Sequence, residues 1–463
     1  MSDVMRPFRL AICVFVLCFV CVPLSAQEAS QAPPARDLRM YDIVADVSAQ
    51  RLEADIRTLA GFGTRNTFSD TVSDTRGIGA ARRWIKAEFD KISAACNGCL
   101  EVSYQYSLVK AEGNRRIPRD VMVVNVIAIQ RGTRYPNRYV IMSGDIDSRA
   151  SNGTDGESDA PGANDNASGM AGTIEAARVL SKYAFPTNIV YLGLSGEEQG
   201  LWGGRHTAKI AKEQGWEIIG VLNNDMIGNI EGVDGVIENN TFRVFSEPVP
   251  VDESDAQRRG RRFFGGEVDG PSRQLARYVA KMTDLYIDNL EAIMIYRLDR
   301  FGRGGHHRPF NDEGFAGVRI METHENYTRQ HQDLREENGI QYGDVIEGVN
   351  FDYAAKLTAV NAITLAGLAS APPEPKNVQI GGAVQPSTTL AWEAVDDPDL
   401  AGYKIHWRET TAPQWQKSRF VGKATEHTLT GIVIDNYLFG VASVATNGNE
   451  SVVVYPSGII RRR

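Results

Sequence analysis

Three apolar runs along the chain share one ending. Tyr139-Val140-Ile141-Met142 leads into Ser143-Gly144-Asp145-Ile146-Asp147, residues 188–194 lead into Ser195-Gly196-Glu197-Glu198, and residues 218–222 lead into Asn223-Asn224-Asp225. Short apolar runs bounded by small and acidic residues predict strands buried on both faces. Between them lie helical spacings over 167–183, with Met170, Ile174, Ala177 and Leu180 on one face, and over about 204–214. Further helices are expected over 48–61, 76–92, 272–282 and 351–368, and further strands over 121–129, 242–245, 293–298 and 318–321. The alternation predicts an α/β fold, three-layered, with a largely parallel mixed central sheet. Ligands gather outside the carboxyl ends of such strands, so acids just past three strand ends converge on one crevice.

At Ser370-Ala371-Pro372-Pro373-Glu374-Pro375 the texture changes to short alternating strands at 378–380, 389–392, 402–407, 428–429 and 437–444. This predicts an all-β sandwich over 372–463, folding separately and dispensable for chemistry.

The chain's 463 residues exceed one ordinary domain, and a net charge of −8 argues against a nucleic-acid partner. The runs Arg258-Arg259-Gly260-Arg261-Arg262 and Arg461-Arg462-Arg463 read as solvated surface. Arg6 and Arg9 precede an uncharged stretch over 10–22 that ends near Ala26, which reads as a signal peptide over 1–26 with a leader over 27–40. The expected protein is secreted or periplasmic, with no membrane span after the signal is removed. Cys13, Cys18 and Cys21 leave with that segment. Cys96-Asn97-Gly98-Cys99 then reads as a local disulfide, ahead of a redox pair or half of a zinc knuckle.

A single loop carboxylate is ordinarily a solvated surface group. Here Asp145, Asp147, Asp165, Glu197, Glu198 and Asp225 sit in turns of small residues with little Lys or Arg nearby in sequence. Gathering that much negative charge is costly unless a cation lies among it.

Five segments in order carry a resemblance: 162–169 (Gly-Ala-Asn-Asp-Asn-Ala-Ser-Gly), 195–201, 224–228, His307-Arg308-Pro309-Phe310, and Tyr327-Thr328-Arg329-Gln330-His331. Together they resemble the bacterial leucyl aminopeptidase-like zinc exopeptidases, co-catalytic metallopeptidases of the MH clan, which would make 41–371 the catalytic domain. The tail resembles a fibronectin type III module, with a surface, glycan or protein partner. The resemblance implies two divalent ions, zinc in the family, bridged by Asp165, with Glu198 and His331 completing one site and Asp225 in the other. It makes Glu197 the general base and Asp147 the group that orients the ligand two residues before it. Where the family has histidine this chain has Asp145, giving an oxygen-only site of Asp145, Asp165 and Asp225 that admits manganese, cobalt, magnesium or calcium.

His331 is favoured over His324 as the ligand. His306 and His307 stay ambiguous, with His307 taken as a substrate-side residue and Arg303 as a contact for a peptide carboxylate. His206, His406 and His427 read as structural or solvated. The implied activity is peptide hydrolysis by an exopeptidase, first an aminopeptidase; a carboxypeptidase of the same fold and a catalytically silent binding protein are the rivals.

Overall fold

The computed structural model describes residues 32–461. The expected signal peptide therefore lies outside the described residues. Eight strands form the central sheet: β1 (Leu100–Val109), β2 (Val121–Gln130), β3 (Tyr135–Asp145), β4 (Thr187–Leu194), β5 (Glu217–Asn224), β6 (Thr241–Ser246), β7 (Glu291–Ile295) and β8 (Gly317–Glu322). Their spatial order is β1-β2-β4-β3-β5-β8-β6-β7. The middle four, β4, β3, β5 and β8, run parallel, while β1, β2 and the β6–β8 pairing are antiparallel. The mixed, largely parallel α/β sheet is the one the apolar runs foretell.

The parallel strands are apolar on both faces because both are covered. Along β3, Val140 and Met142 enter the larger core, while Tyr139 and Ile141 enter the smaller one. The larger core takes helices α1 (Arg39–Asp46), α2 (Ala49–Gly61), α3 (Gly77–Ala95) and α4 (Gly169–Leu180) on one side. The smaller takes Ala208 and Ala211 of α5 (Trp202–Glu213) on the other. Helix α6 (Asp255–Phe263) buries no residue, and Arg258, Arg259 and Arg262 are the solvated surface the sequence indicates, whereas half-buried Arg261 pairs with Glu253. Helices α7 (Pro271–Tyr286), α8 (His307–Asp312) and α9 (Phe351–Ser370) complete the layers, and a small hairpin, β9 (Arg335–Glu337) with β10 (Ile340–Tyr342), stands apart. Cys96 and Cys99 form a disulfide after α3, with an S–S length of 2.08 Å.

Two further sheets form the sandwich: β11 (Gln379–Gly381), β12 (Thr388–Ala391), β15 (Glu426–Leu429) and β17 (Gly458–Ile459) against β13 (Leu400–Glu409), β14 (Lys417–Phe420) and β16 (Tyr437–Ala445). Trp392, Tyr403, Trp407 and Phe439 fill its core.

Against its expected independence stand buried charges that cross the junction. Asp269 at the head of α7 binds Arg277 and Arg408 at 2.7 Å each, all three fully buried. Glu450 of the tail binds Lys281 of α7 at 2.6 Å and His406 at 3.0 Å, and also Lys404. Arg138 at the start of the apolar part of β3 reaches Glu374 at 2.7 Å. Sequence texture marks where the chain changes architecture, but it carries no sign of these long-range pairs.

Burial opposes the charge on Glu450, yet Lys281, His406 and Lys404 hold its carboxyl well below the usual range. A carboxyl depressed on folding stabilises above its unfolded pKa, and the gain is lost as pH falls through the folded value. Glu450→Gln should therefore destabilise the protein most at neutral pH. In thermal melts its gap to the native chain should narrow as pH drops past about 4.3, where unfolded glutamates protonate. A gap independent of pH would show that Glu450 contributes by packing alone.

Candidate metal centre

Registration of the parallel strands sets the site. Asp145 pairs with Leu194 and Gly144 with Asn224, so Asp145, the 195–198 turn and Asp225 emerge along one edge. Asp165 arrives from the 162–169 turn between β3 and α4. Gly162 opens that turn at φ 56°, where a side chain would also meet Cβ of Ser148 at 2.4 Å. Asp165 and Asn166 are joined by a cis peptide. Buried Arg65 fastens the turn from below, donating to the carbonyls of Ile146 at 2.8 Å and Gly162 at 2.9 Å.

Asp165, Glu198 and His331 present ligand atoms within 4.8 Å of one another. His331 Nε2 lies 3.2 Å from Asp165 Oδ2 and 3.1 Å from Glu198 Oε1. The backbone of His331 is left-handed, with φ 54°, an uncommon conformation for a residue bearing a side chain. Burial would lower the His331 pKa, but Glu198 and Asp165 override it and push it up to about 10. A proton thus stands where these donors could hold an ion. Burial lifts Asp145 to about 8 and Asp225 to about 7, and raises Glu197 well above the glutamate range, with neighbouring acids adding to it. Crowded, buried carboxyls of this kind are what a bound cation would relieve. Two carboxylates and an imidazole form an oxygen-and-nitrogen donor set that suits zinc.

The Asp145 side of the site differs from the expected oxygen-only triad. Asp145 Oδ1 lies 2.5 Å from His306 Nδ1, and Asn166 donates to Oδ2 at 2.7 Å. Asp225 accepts an ion pair from buried Arg319 at 2.8 Å. Asp145, Asp165 and Asp225 do not close into a cluster of the kind that Asp165, Glu198 and His331 make. Arg319 sits in β8 between apolar neighbours, and nothing in its local sequence marks it.

Asp147 also differs from expectation. Its carboxylate accepts the backbone N–H groups of Glu197 at 3.2 Å and Glu198 at 3.1 Å. It therefore positions the paired glutamates, not Asp145, because the 195–198 turn folds back over the end of β3. Glu197 faces the same cleft as Asp165, Glu198, Asp225 and His331.

His307 is corrected outright. It is fully buried, with Nε2 2.8 Å from the Leu298 carbonyl and 3.6 Å from Asp299, and it does not reach the cleft. Arg303 does line the cleft, held by Glu325 and Gln330 at 3.1 Å each. Two acids escaped sequence reading. Asp344 accepts the Asp165 N–H at 2.6 Å, and Glu322 accepts from the Asn164 side chain at 2.9 Å. Both support the turn from distant segments.

Residues 125–247 match the model of peptidase family M28. A probable zinc metalloprotease of Pyrenophora teres f. teres is 42% identical over 432 residues, covering 93% of this chain and 88% of that protein. Another, from Leptosphaeria maculans, is 42% identical over 424 residues, covering 91% of this chain and 98% of the relative. Among solved structures, the Legionella pneumophila LapA aminopeptidase superposes with a TM-score of 0.52 at 18% identity, over 75% of this chain and 78% of that one. LapB of the same organism gives 0.52 at 16% identity, over 73% and 76%. At these identities the likeness is one of fold.

Proposed function

This chain belongs to peptidase family M28, and on that premise we propose that it is an exported, zinc-dependent exopeptidase that hydrolyses peptide bonds with an activated water. The observation carrying this reading is the convergence of Asp165, Glu198 and His331 within 4.8 Å. Glu197 opens onto the same cleft. A divalent ion held by those three would acidify a water and polarise the scissile carbonyl. Glu197 would take one proton from that water as its oxygen adds to the carbonyl carbon. It would return the proton to the departing nitrogen as the carbon–nitrogen bond breaks. Asp147, through the two backbone N–H groups it accepts, keeps Glu197 and Glu198 on opposite tasks.

Two ions are the family expectation. The geometry favours one tightly held ion, because Arg319 already compensates Asp225 and His306 lies against Asp145. Elemental analysis after gel filtration should find about one zinc per chain. A chelator should abolish activity, and zinc should restore it. Two equally tight zinc ions would mean that Arg319 and His306 move aside and the oxygen-rich site closes.

Export is supported by the disulfide and by the residues before Ala26. Among the described residues, no helix is long and apolar enough to cross a membrane. The aminopeptidase reading needs an anion to hold a free α-amine; the carboxypeptidase reading is favoured instead by the cations of the cleft. The tail keeps its reading as a fibronectin type III-like module.

A further inference from the structure

We propose that the cleft beside Asp165, Glu198 and His331 takes peptides carrying a carboxylate next to the scissile bond, an inference that rests on the peptidase reading above. The cavity has a volume of about 360 Å³, and six arginines line it: Arg116, Arg149, Arg205, Arg300, Arg303 and Arg308. The carboxylates lining it are Asp165, Glu197, Glu198 and Asp225. Each of these already has a place in holding an ion, carrying a proton or pairing with Arg319.

Three of the arginines have anionic neighbours. Arg300 and Arg303 bind Glu325 at 2.9 and 3.1 Å, and Arg149 stands 3.6 Å from Glu198. Arg116, Arg205 and Arg308 pair with no carboxylate among the described residues. Arg205 Nε donates to the Gly200 carbonyl at 2.9 Å, and Arg308 Nη1 reaches the Arg303 carbonyl at 3.4 Å. Arg308 Nε is buried without an acceptor. A single arginine at a cleft mouth is ordinarily just hydrated. A concave wall of them repels itself unless anions enter, and the planar guanidinium matches a carboxylate in two parallel hydrogen bonds.

Two absences among the lining residues sharpen the inference. Leu201 is the one large apolar side chain in the lining, the rest of the wall being glycine and charge. The cleft is therefore poorly built for a leucine-like side chain. A free α-amine finds no spare anion either, since nearby Glu325 is shared by Arg243, Arg300 and Arg303. The carboxylate recognised has two sources, an acidic side chain or the terminal α-carboxylate of the substrate.

The test is calorimetry on zinc-loaded Glu197→Gln, which requires no turnover. The probes are a neutral glutamine peptide acetylated and amidated at its ends, the same peptide with glutamate, the glutamine peptide with a free carboxyl end, and the glutamine peptide with a free amine. Either carboxylate-bearing peptide should bind about tenfold or more tightly than the doubly blocked one. A preference for the glutamate peptide assigns the side chain, and one for the free carboxyl end assigns the terminus. Adding Arg205→Gln and Arg308→Gln should bring the ratio close to one, and higher ionic strength should shrink it. Should that combination misfold, Arg116→Gln, at an exposed position, should lower the same ratio. Equal binding of all four probes, or tightest binding of the free amine, overturns the proposal. Tight anionic binding with no cleavage of any peptide by the zinc-loaded native chain would instead remove the peptidase reading alone.

Discussion

Glu197→Gln should retain its zinc and lose turnover by about 10²- to 10⁴-fold, the usual weight of a positioned general base. Glutamine keeps the shape and the backbone N–H that Asp147 holds at 3.2 Å. It cannot accept and return a proton. Glu197 is absent from the trio whose donor atoms converge, so the ion should not notice the change. His331→Ala supplies the contrast, since it removes a converging donor and should cost metal and activity together. Parallel elemental analysis and kinetics separate the two cases. If Glu197→Gln loses metal while Glu198→Gln keeps it, the roles of the adjacent glutamates are exchanged.

The second large effect concerns the junction. A chain ending at Ala371 should fail to give soluble, cooperatively folding enzyme. It would leave Asp269 without Arg408 and Lys281 without Glu450, partners met at 2.7 and 2.6 Å. Removing one partner of a buried ion pair costs about 3–5 kcal/mol. Whole domains are stable by only about 5–15 kcal/mol, so losing two such networks is of the same size as the total. Arg408→Ala in the full chain isolates one of them and should lower the melting temperature clearly while leaving the cleft residues in place. A truncated protein with native specific activity and a single sharp unfolding transition would show that the junction charges rehydrate at little cost.

The parallel strands were legible because burial on both faces leaves uninterrupted apolar runs, as in 188–194. Strand β1 escaped because it lies at the sheet edge, with Tyr106 60% and Leu108 51% exposed, so its pattern is mixed. Helix α6 escaped for the opposite reason. It has no apolar face, and its signal was the capping box between Ser254 and Gln257. At the site, acids just past strand ends were readable because the topology alone brings them together. Arg319, His306, Glu322 and Asp344 were not, since each acts on a residue more than 90 positions away in sequence. The His307 expectation failed because the motif around it describes a neighbourhood, and within that neighbourhood the adjacent His306 points toward Asp145.

The Asp37–Asn449 hydrogen bond, 2.8 Å long across 412 residues, belongs to the same junction as the Glu450 network. Contacts of such separation are entropically expensive and close late in folding. Asp269 and Lys281 therefore find Arg408 and Glu450 only once the sandwich strands that carry them have been made.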